Sequence, residues 1–143
     1  MTEPSLTPQQ IAEAVAVGMM ANDRASRGLG LKVTHIGPGT AQLEMTVRDD
    51  MLNGFDICHG GYITLLADST FAFACNSYNE LTVASSLAVD FIAPGRGCLV
   101  ALHGRRGRHR GDLHHSFAAR RALRVLGRVA ALRHLQRVAW HQV

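Results

Sequence analysis

One carboxylate stands alone in an apolar run. Between Gly61 and Asn79 the only charged residue is Asp68. A buried Asp is rare unless it is paired. The residues three and four positions away are Leu65, Thr64, Phe71 and Ala72, so no base within the same helix pairs with it. Such a carboxylate is suited to act as a nucleophile or as a general base on water. The structural alternative is a carboxylate that pairs with a distant group or faces an interface. Upstream stands Cys58-His59-Gly60-Gly61, where a helix is expected to begin. Free N–H groups and the positive end of the dipole at a helix start favour an oxyanion. Glycine there lets a substrate carbonyl approach the backbone closely. The plainer alternative is a glycine turn with a surface His.

The element that must carry these groups runs from Gly60 to Asn76, 17 residues. As a helix it is about 25 Å long at 1.5 Å per residue. Ile63, Leu65, Leu66, Phe71 and Phe73 point in several directions, which predicts a helix buried nearly all round. A membrane span needs about 20 predominantly apolar residues, and an Asp at mid-run is costly in lipid. His59 and Asp68 are nine residues apart, so one helix separates them by about 13 Å and roughly half a turn. They cannot hydrogen-bond within one chain. If both serve one site, Asp68 comes from a second subunit through antiparallel central helices, and a two-fold dimer makes two equal sites.

The flanking chain predicts a sheet around this helix. Thr7-Pro8-Gln9-Gln10 has the form of a capped helix start. Ile11, Val15 and Met19 continue it at helical spacing, with an end near Asn22–Gly30. Leu31–Ile36 reads as a short strand and Gly37-Pro38-Gly39 as a turn. Thr40–Arg48 alternates, with Ala41, Leu43, Met45 and Val47 on one face, as a half-buried antiparallel strand does. Asp49–Asp56 reads as loop. Thr82–Ile92 is the next strand, with Val83, Ser85, Leu87, Val89 and Phe91 expected on one face, and Pro94-Gly95 ends it. The class is therefore α+β: an antiparallel sheet wrapped around one long central helix.

The chain of 143 residues is long enough for one domain with a substantial core. Three cysteines, Cys58, Cys75 and Cys98, with no C-x-x-C pair argue against a disulfide framework or a zinc knuckle. No secretory signal is apparent, and a reducing, cytoplasmic setting is expected. The net charge of +4 divides into −6 for residues 1–95 and +10 for residues 96–143, where eleven arginines meet one acid, Asp112. Six of the eight histidines, including His114-His115, also lie in this tail. Without a spaced ligand set they are read as incidental, and no metal is expected. The alternation of strands is lost after Arg96. Ala118–Ala139 could form a helix, but Arg120, Arg124 and Arg128 at i, i+4 spacing repel one another. The tail's composition is also that of a GC-rich gene read out of frame, which predicts a departure from the ancestral frame near Arg96–Cys98.

Cys58-His59-Gly60-Gly61, Leu66-Ala67-Asp68 and Phe71-Ala72-Phe73-Ala74-Cys75-Asn76-Ser77 together resemble the hotdog-fold acyl-CoA thioesterases. The likeness is to the phenylacetic acid degradation branch, whose pattern Asn22-Asp23 and Val89-Asp90-Phe91-Ile92-Ala93-Pro94-Gly95 also match. It covers roughly residues 10–97 of a single hotdog domain spanning 1–143, and the Arg-rich residues from 98 onward lie outside it. The resemblance implies a homodimer or homotetramer with sites shared between subunits. It makes Asp68 the catalytic carboxylate and the Gly60 N–H the group that polarises the thioester carbonyl. It gives His59 and Asn22 supporting roles there, and places Gly61, Asn53 and Gly54 in substrate binding.

The function expected is hydrolysis of an acyl-CoA, with an aromatic acyl group favoured by the resemblance, and with no cofactor. The alternatives are a hydratase or dehydratase acting on an acyl thioester, and an acyl-CoA sensor without turnover. Against the sensor stands the cost of an unpaired buried charge. Eleven arginines could neutralise phosphates. However, the tail has only Phe117 and Trp140 as aromatics, so nucleic-acid binding is the lesser reading.

Overall fold

Thr7 starts the first helix. In the computed structural model its hydroxyl accepts from the Gln10 N–H at 3.2 Å, and Gln10 Oε1 accepts from the Thr7 N–H at 2.8 Å. With Pro8 in the first helical position, this capping box satisfies donors that a helix start leaves open. The helix α1 runs Pro8–Asn22. The structure describes residues 5–91, 93–96, 99–105, 113–115 and 123–131, the last three segments by the course of the backbone. Asp23 breaks α1 with extended backbone and at once caps a short helix, α2 (Arg24–Gly28).

Strands β1 (Lys32–Gly37) and β2 (Thr40–Thr46) form an antiparallel hairpin whose turn holds Gly39 at φ +73°. That backbone conformation suits glycine because it has no Cβ to clash. Ala41, Leu43 and Met45 of β2 are each 0% exposed, as the alternation predicts. They pack under α3 (Gly60–Asn76), together with Ile63, Leu66, Phe73 and Ala74 of that helix. A fully buried side chain of the size of Leu, Met or Phe contributes about 1.5–3 kcal/mol. This layer is therefore the main source of the fold's stability.

The far end of α3 is tied down by side chains. Ser77 Oγ–H donates to the Ala74 carbonyl and accepts from the Gly39 N–H at 2.7 Å. Asn76 Nδ2 donates to the carbonyls of Ala72 and Thr82, and its Oδ1 accepts from the Thr82 N–H, each at 2.9 Å. These contacts set where β3 (Thr82–Phe91) begins.

Three further strands complete the description: β4 (Leu99–Arg105), β5 (Leu113–His115) and β6 (Leu123–Ala131). The strand order is β1-β2-β4 in one sheet and β3-β6-β5 in the other, antiparallel throughout. The sheets meet where β4 passes β5, and α3 packs on β2, β4 and β3. The antiparallel sheet around a central helix is thus present.

Three expectations change. The tail forms strands where lost alternation predicted none, and Leu123–Ala131 is strand, not part of the helix that Ala118–Ala139 could form. The rest of that span lies outside the described residues. Pairing draws on backbone N–H and C=O groups, which β2 and β3 offer along their full length whatever the side-chain pattern. In β3 the register shifts between Ala84 and Ser86, so the expected face of five residues is broken. Leu87 and Val89 pack on the core, whereas Val83 is 43% exposed. Finally, α3 is not buried all round. Gly61 and Asp68 are exposed, and Leu65 and Ala72 between and beyond them are half-buried. Those positions form one stripe at helical spacing, the side that the sheet of a single chain does not reach.

Candidate active site

The N-terminal end of α3 is held from both sides. The Cys58 N–H donates to the Gly95 carbonyl and the His59 N–H to the Met51 carbonyl, each at 2.8 Å. His59 is the cap residue. Its Nδ1 accepts from the Gly61 N–H at 3.0 Å, and its ring meets Tyr62 edge-on at 6.4 Å between centroids. An Nδ1 that accepts leaves the proton of the neutral imidazole on Nε2, which is then a donor. The Gly61 N–H is consumed by the cap. Among the described residues the Gly60 N–H has no acceptor. It points out of the positive end of a 17-residue helix, the geometry that favours an oxyanion.

Gly60 is glycine for a steric reason. A Cβ there would meet Phe91 Cζ at 3.0 Å and Cε1 at 3.2 Å. Phe91, on β3, therefore lies against the helix start, while 53% of it stays open. Phe91 was not among the residues expected at the site. The available signal was its place in the Val89–Gly95 motif.

The loop before the helix is a closed turn. Asn53 Oδ1 accepts from the Phe55 N–H at 2.9 Å, the Asn53 N–H donates to the Ile57 carbonyl at 2.9 Å, and Leu52 bridges Cys58. This brings Asn53 and Gly54 to the His59 end and exposes Phe55 at the tip to 82%. Asn53 uses its carbonyl oxygen to hold the turn, so its amide nitrogen is the group left to meet a ligand. A Cβ on Gly54 would meet nothing within 4 Å, so space does not require glycine there.

Asp68 and Asn22 form a second group. Asp68 was expected in the buried interior. In the single chain it lies on the open stripe of α3. The atoms packed around its stem remove water and the negative charge of Asp23 adds to this, so its carboxyl is pushed above the usual carboxylate range. Asn22 ends α1 and its Nδ2 donates to the Gly18 carbonyl at 2.9 Å. A bonded chain links the two neighbourhoods. Asp23 accepts from the Ser26 N–H and hydroxyl at 2.9 and 2.5 Å, and the Ser26 and Ser69 hydroxyls are 2.9 Å apart. This chain was not anticipated from the sequence, because Ser26 and Ser69 are 43 positions apart.

Within one chain the candidate residues thus fall into two groups: Asn53, Gly54, His59, Gly60 and Gly61 in one, Asn22 and Asp68 in the other. The first supplies donors for a developing oxyanion, the second a carboxylate of raised proton affinity.

The thioesterase superfamily matches residues 55–112, past Gly97 where the expected resemblance ends. An acyl-coenzyme A thioesterase, PaaI, of Escherichia coli K12 is 44% identical over 80 residues, 56% of this chain and 57% of that protein. In sequence the chain thus spans little more than half the length of that relative. The solved structure of the E. coli PaaI protein from the phenylacetic acid degradation operon superposes with TM-score 0.80 at 30% identity. That superposition covers 88% of this chain and 96% of that one. A phenylacetic acid degradation protein PaaI from Thermus thermophilus, in a mutant form, superposes with TM-score 0.66 at 32% identity, over 75% and 97%. By these likenesses the chain belongs to the thioesterase superfamily and has its hotdog fold.

Proposed function

We propose that the protein hydrolyses acyl-CoA thioesters in a site shared between two copies of the chain. The observation that carries this reading is the placement of Asp68 on the one open stripe of α3, with the free Gly60 N–H at the start of the same helix. In an antiparallel pairing of two α3 helices, Asp68 of the partner subunit faces the Gly60 of the first chain. The thioester oxygen sits on the Gly60 N–H, with the Nε2–H of His59 beside it. Asp68 of the partner subunit takes a proton from an attacking water, or attacks the carbonyl carbon itself to form a mixed anhydride that water then hydrolyses. The C–S bond breaks, coenzyme A leaves as thiol, and the acyl group ends as a free acid.

The outer strand β3 favours the same pairing. Among the described strands it has one neighbour, β6. It is ten residues long and exposes Val83 and Phe91, with Leu81 exposed just ahead of it. A long apolar edge strand is a template for another chain. An aromatic acyl group is the favoured substrate, on the phenylacetic acid degradation operon of the E. coli relative and on the open Phe91 ring beside Gly60. No helix among the described residues is long and apolar enough to cross a membrane. A cytoplasmic setting belongs to the same reading, on the buried free thiol of Cys58. Thiol release from a panel of aliphatic and aromatic acyl-CoAs tests the reading, with Asp68→Asn as control. Turnover is expected to vanish in the variant while substrate binding stays. Undiminished turnover in Asp68→Asn, or water addition to an enoyl-CoA in place of hydrolysis, would refute it.

A further inference from the structure

Ser26 is 0% exposed, yet it carries a hydroxyl at the centre of a polar chain. That hydroxyl has a single proton, which goes to Asp23 Oδ2 at 2.5 Å. The 2.9 Å contact with Ser69 therefore runs the other way: the Ser69 hydroxyl donates and Ser26 Oγ accepts. The direction is set throughout, Ser69 to Ser26 to Asp23, and it ends on a carboxylate. Charge-assisted bonds of this kind are short and stronger than neutral ones. One end of the chain adjoins Asn22, at the break between α1 and α2. The other end is the residue that follows Asp68 on α3.

We propose that Asp23, acting through Ser26 and Ser69, is a positioning residue that locks Asn22 and Asp68 of one chain into a single half-site. This rests on the hydrolase reading above and deepens it. It means that Asn22 travels with Asp68 across the dimer, and not with the Gly60 of its own chain. Asp23 makes no contact with substrate. Its carboxylate fixes the rotation of α3 against the α1–α2 break. It also places a second negative charge near Asp68, which favours the protonated form of that carboxyl. Other charged or titratable groups stand on the elements around α3: Glu13 on α1, Arg24 and Arg27 on α2, Lys32 and His35 on β1, Glu44 on β2 and Asp90 on β3. His103 and Arg105 lie on β4, known by backbone course. Among the described residues, Asp23 is the one whose charge acts on Asp68.

The test compares the wild-type protein with Asp23→Asn, Asp23→Glu and Ser69→Ala, each checked for folding by circular dichroism. Two readouts are taken: the carboxyl titration of Asp68 by carbon NMR, and the pH dependence of kcat and KM on an acyl-CoA. Asp23→Asn is expected to lower the Asp68 titration midpoint, because a like charge is removed, and to move the acid limb of kcat to lower pH. Ser69→Ala keeps the charge but cuts the chain, so kcat should fall about tenfold to a hundredfold with KM little changed, the scale of a misplacement near 1 Å. Asp23→Glu, which retains an acceptor and a charge, should recover part of kcat relative to Asp23→Asn. If folded Asp23→Asn leaves the Asp68 midpoint unmoved and Ser69→Ala leaves kcat unchanged, the positioning role is overturned. The NMR titration needs no turnover, so a failure of the hydrolase reading itself, seen as an active Asp68→Asn, is read separately.

Discussion

Asp68 and Gly60 answer to different physics, and each yields its own prediction. Asp68 has a raised proton affinity, so the folded chain binds its proton more tightly than the unfolded chain does. The ionised form is therefore penalised in the fold. The penalty is absent below the unfolded value of about 3.9, sets in as pH rises, and is complete above the folded value. Asp68→Asn should thus gain thermal stability relative to wild type as pH rises through that window, while losing turnover. Melting curves at several pH values check the sign. Catalysis runs in the opposite sense, because it uses the ionised carboxylate: kcat should drop as pH falls through the raised value. At Gly60 the limit is space. Gly60→Ala keeps the N–H but sets a Cβ 3.0 Å from the Phe91 ring. Activity should fall through displacement of that ring, and the double variant Gly60→Ala/Phe91→Ala should recover part of it with an altered preference among acyl groups. An acyl-CoA panel on both variants reads this.

At the scale of elements, local chemistry and long-range ties can be separated. The capping box of α1 is local and exposed. Thr7→Ala should cost about 1 kcal/mol, measurable by urea unfolding, without touching activity. Asn76 is a tie between elements. Of its three side-chain hydrogen bonds, two join the last turn of α3 to Thr82, the first residue of β3, and one returns to the Ala72 carbonyl of α3. At about 1 kcal/mol for each bond, and more where the Thr82 N–H loses its acceptor, Asn76→Ala should cost roughly 2–3 kcal/mol. Both ends of α3 were legible in the sequence, from Gly60 to Asn76, because glycines at one side and a turn at the other bound an unbroken apolar run. The face of β3 was not, because a register shift at Ser85 changes which residues point inward and no side-chain pattern announces it.

For the whole molecule, the open stripe of α3 and the outer strand β3 make one prediction about assembly. A charge on the stripe, Leu65→Glu, should shift the sedimentation profile toward monomer and abolish hydrolysis together, because both half-sites are then separated. Mixing supplies the stricter check. Asp68→Asn and Gly60→Val each spoil a different half-site, so each alone should be inactive. After subunit exchange half the dimers are mixed and each has one intact site, giving about one quarter of wild-type activity in a two-fold dimer. No recovery on mixing would place the two half-sites of one chain in the same pocket.

Several features follow from the sequence by itself: an α+β chain, a 17-residue central helix with a glycine-rich start, the strand alternation of β2, and a carboxylate out of keeping with its surroundings. Those depend on residue type and spacing along the chain, which local geometry converts directly into faces and caps. Only the tertiary structure decided the rest. It turned a stretch without alternation into strands, because backbone pairing answers to a neighbouring edge. It opened one stripe of α3, because the described strands of one chain do not reach that side. It set Phe91 against Gly60, and joined Asp23 to Ser69 through Ser26. Such contacts unite residues far apart in the chain, and their partners are chosen by packing.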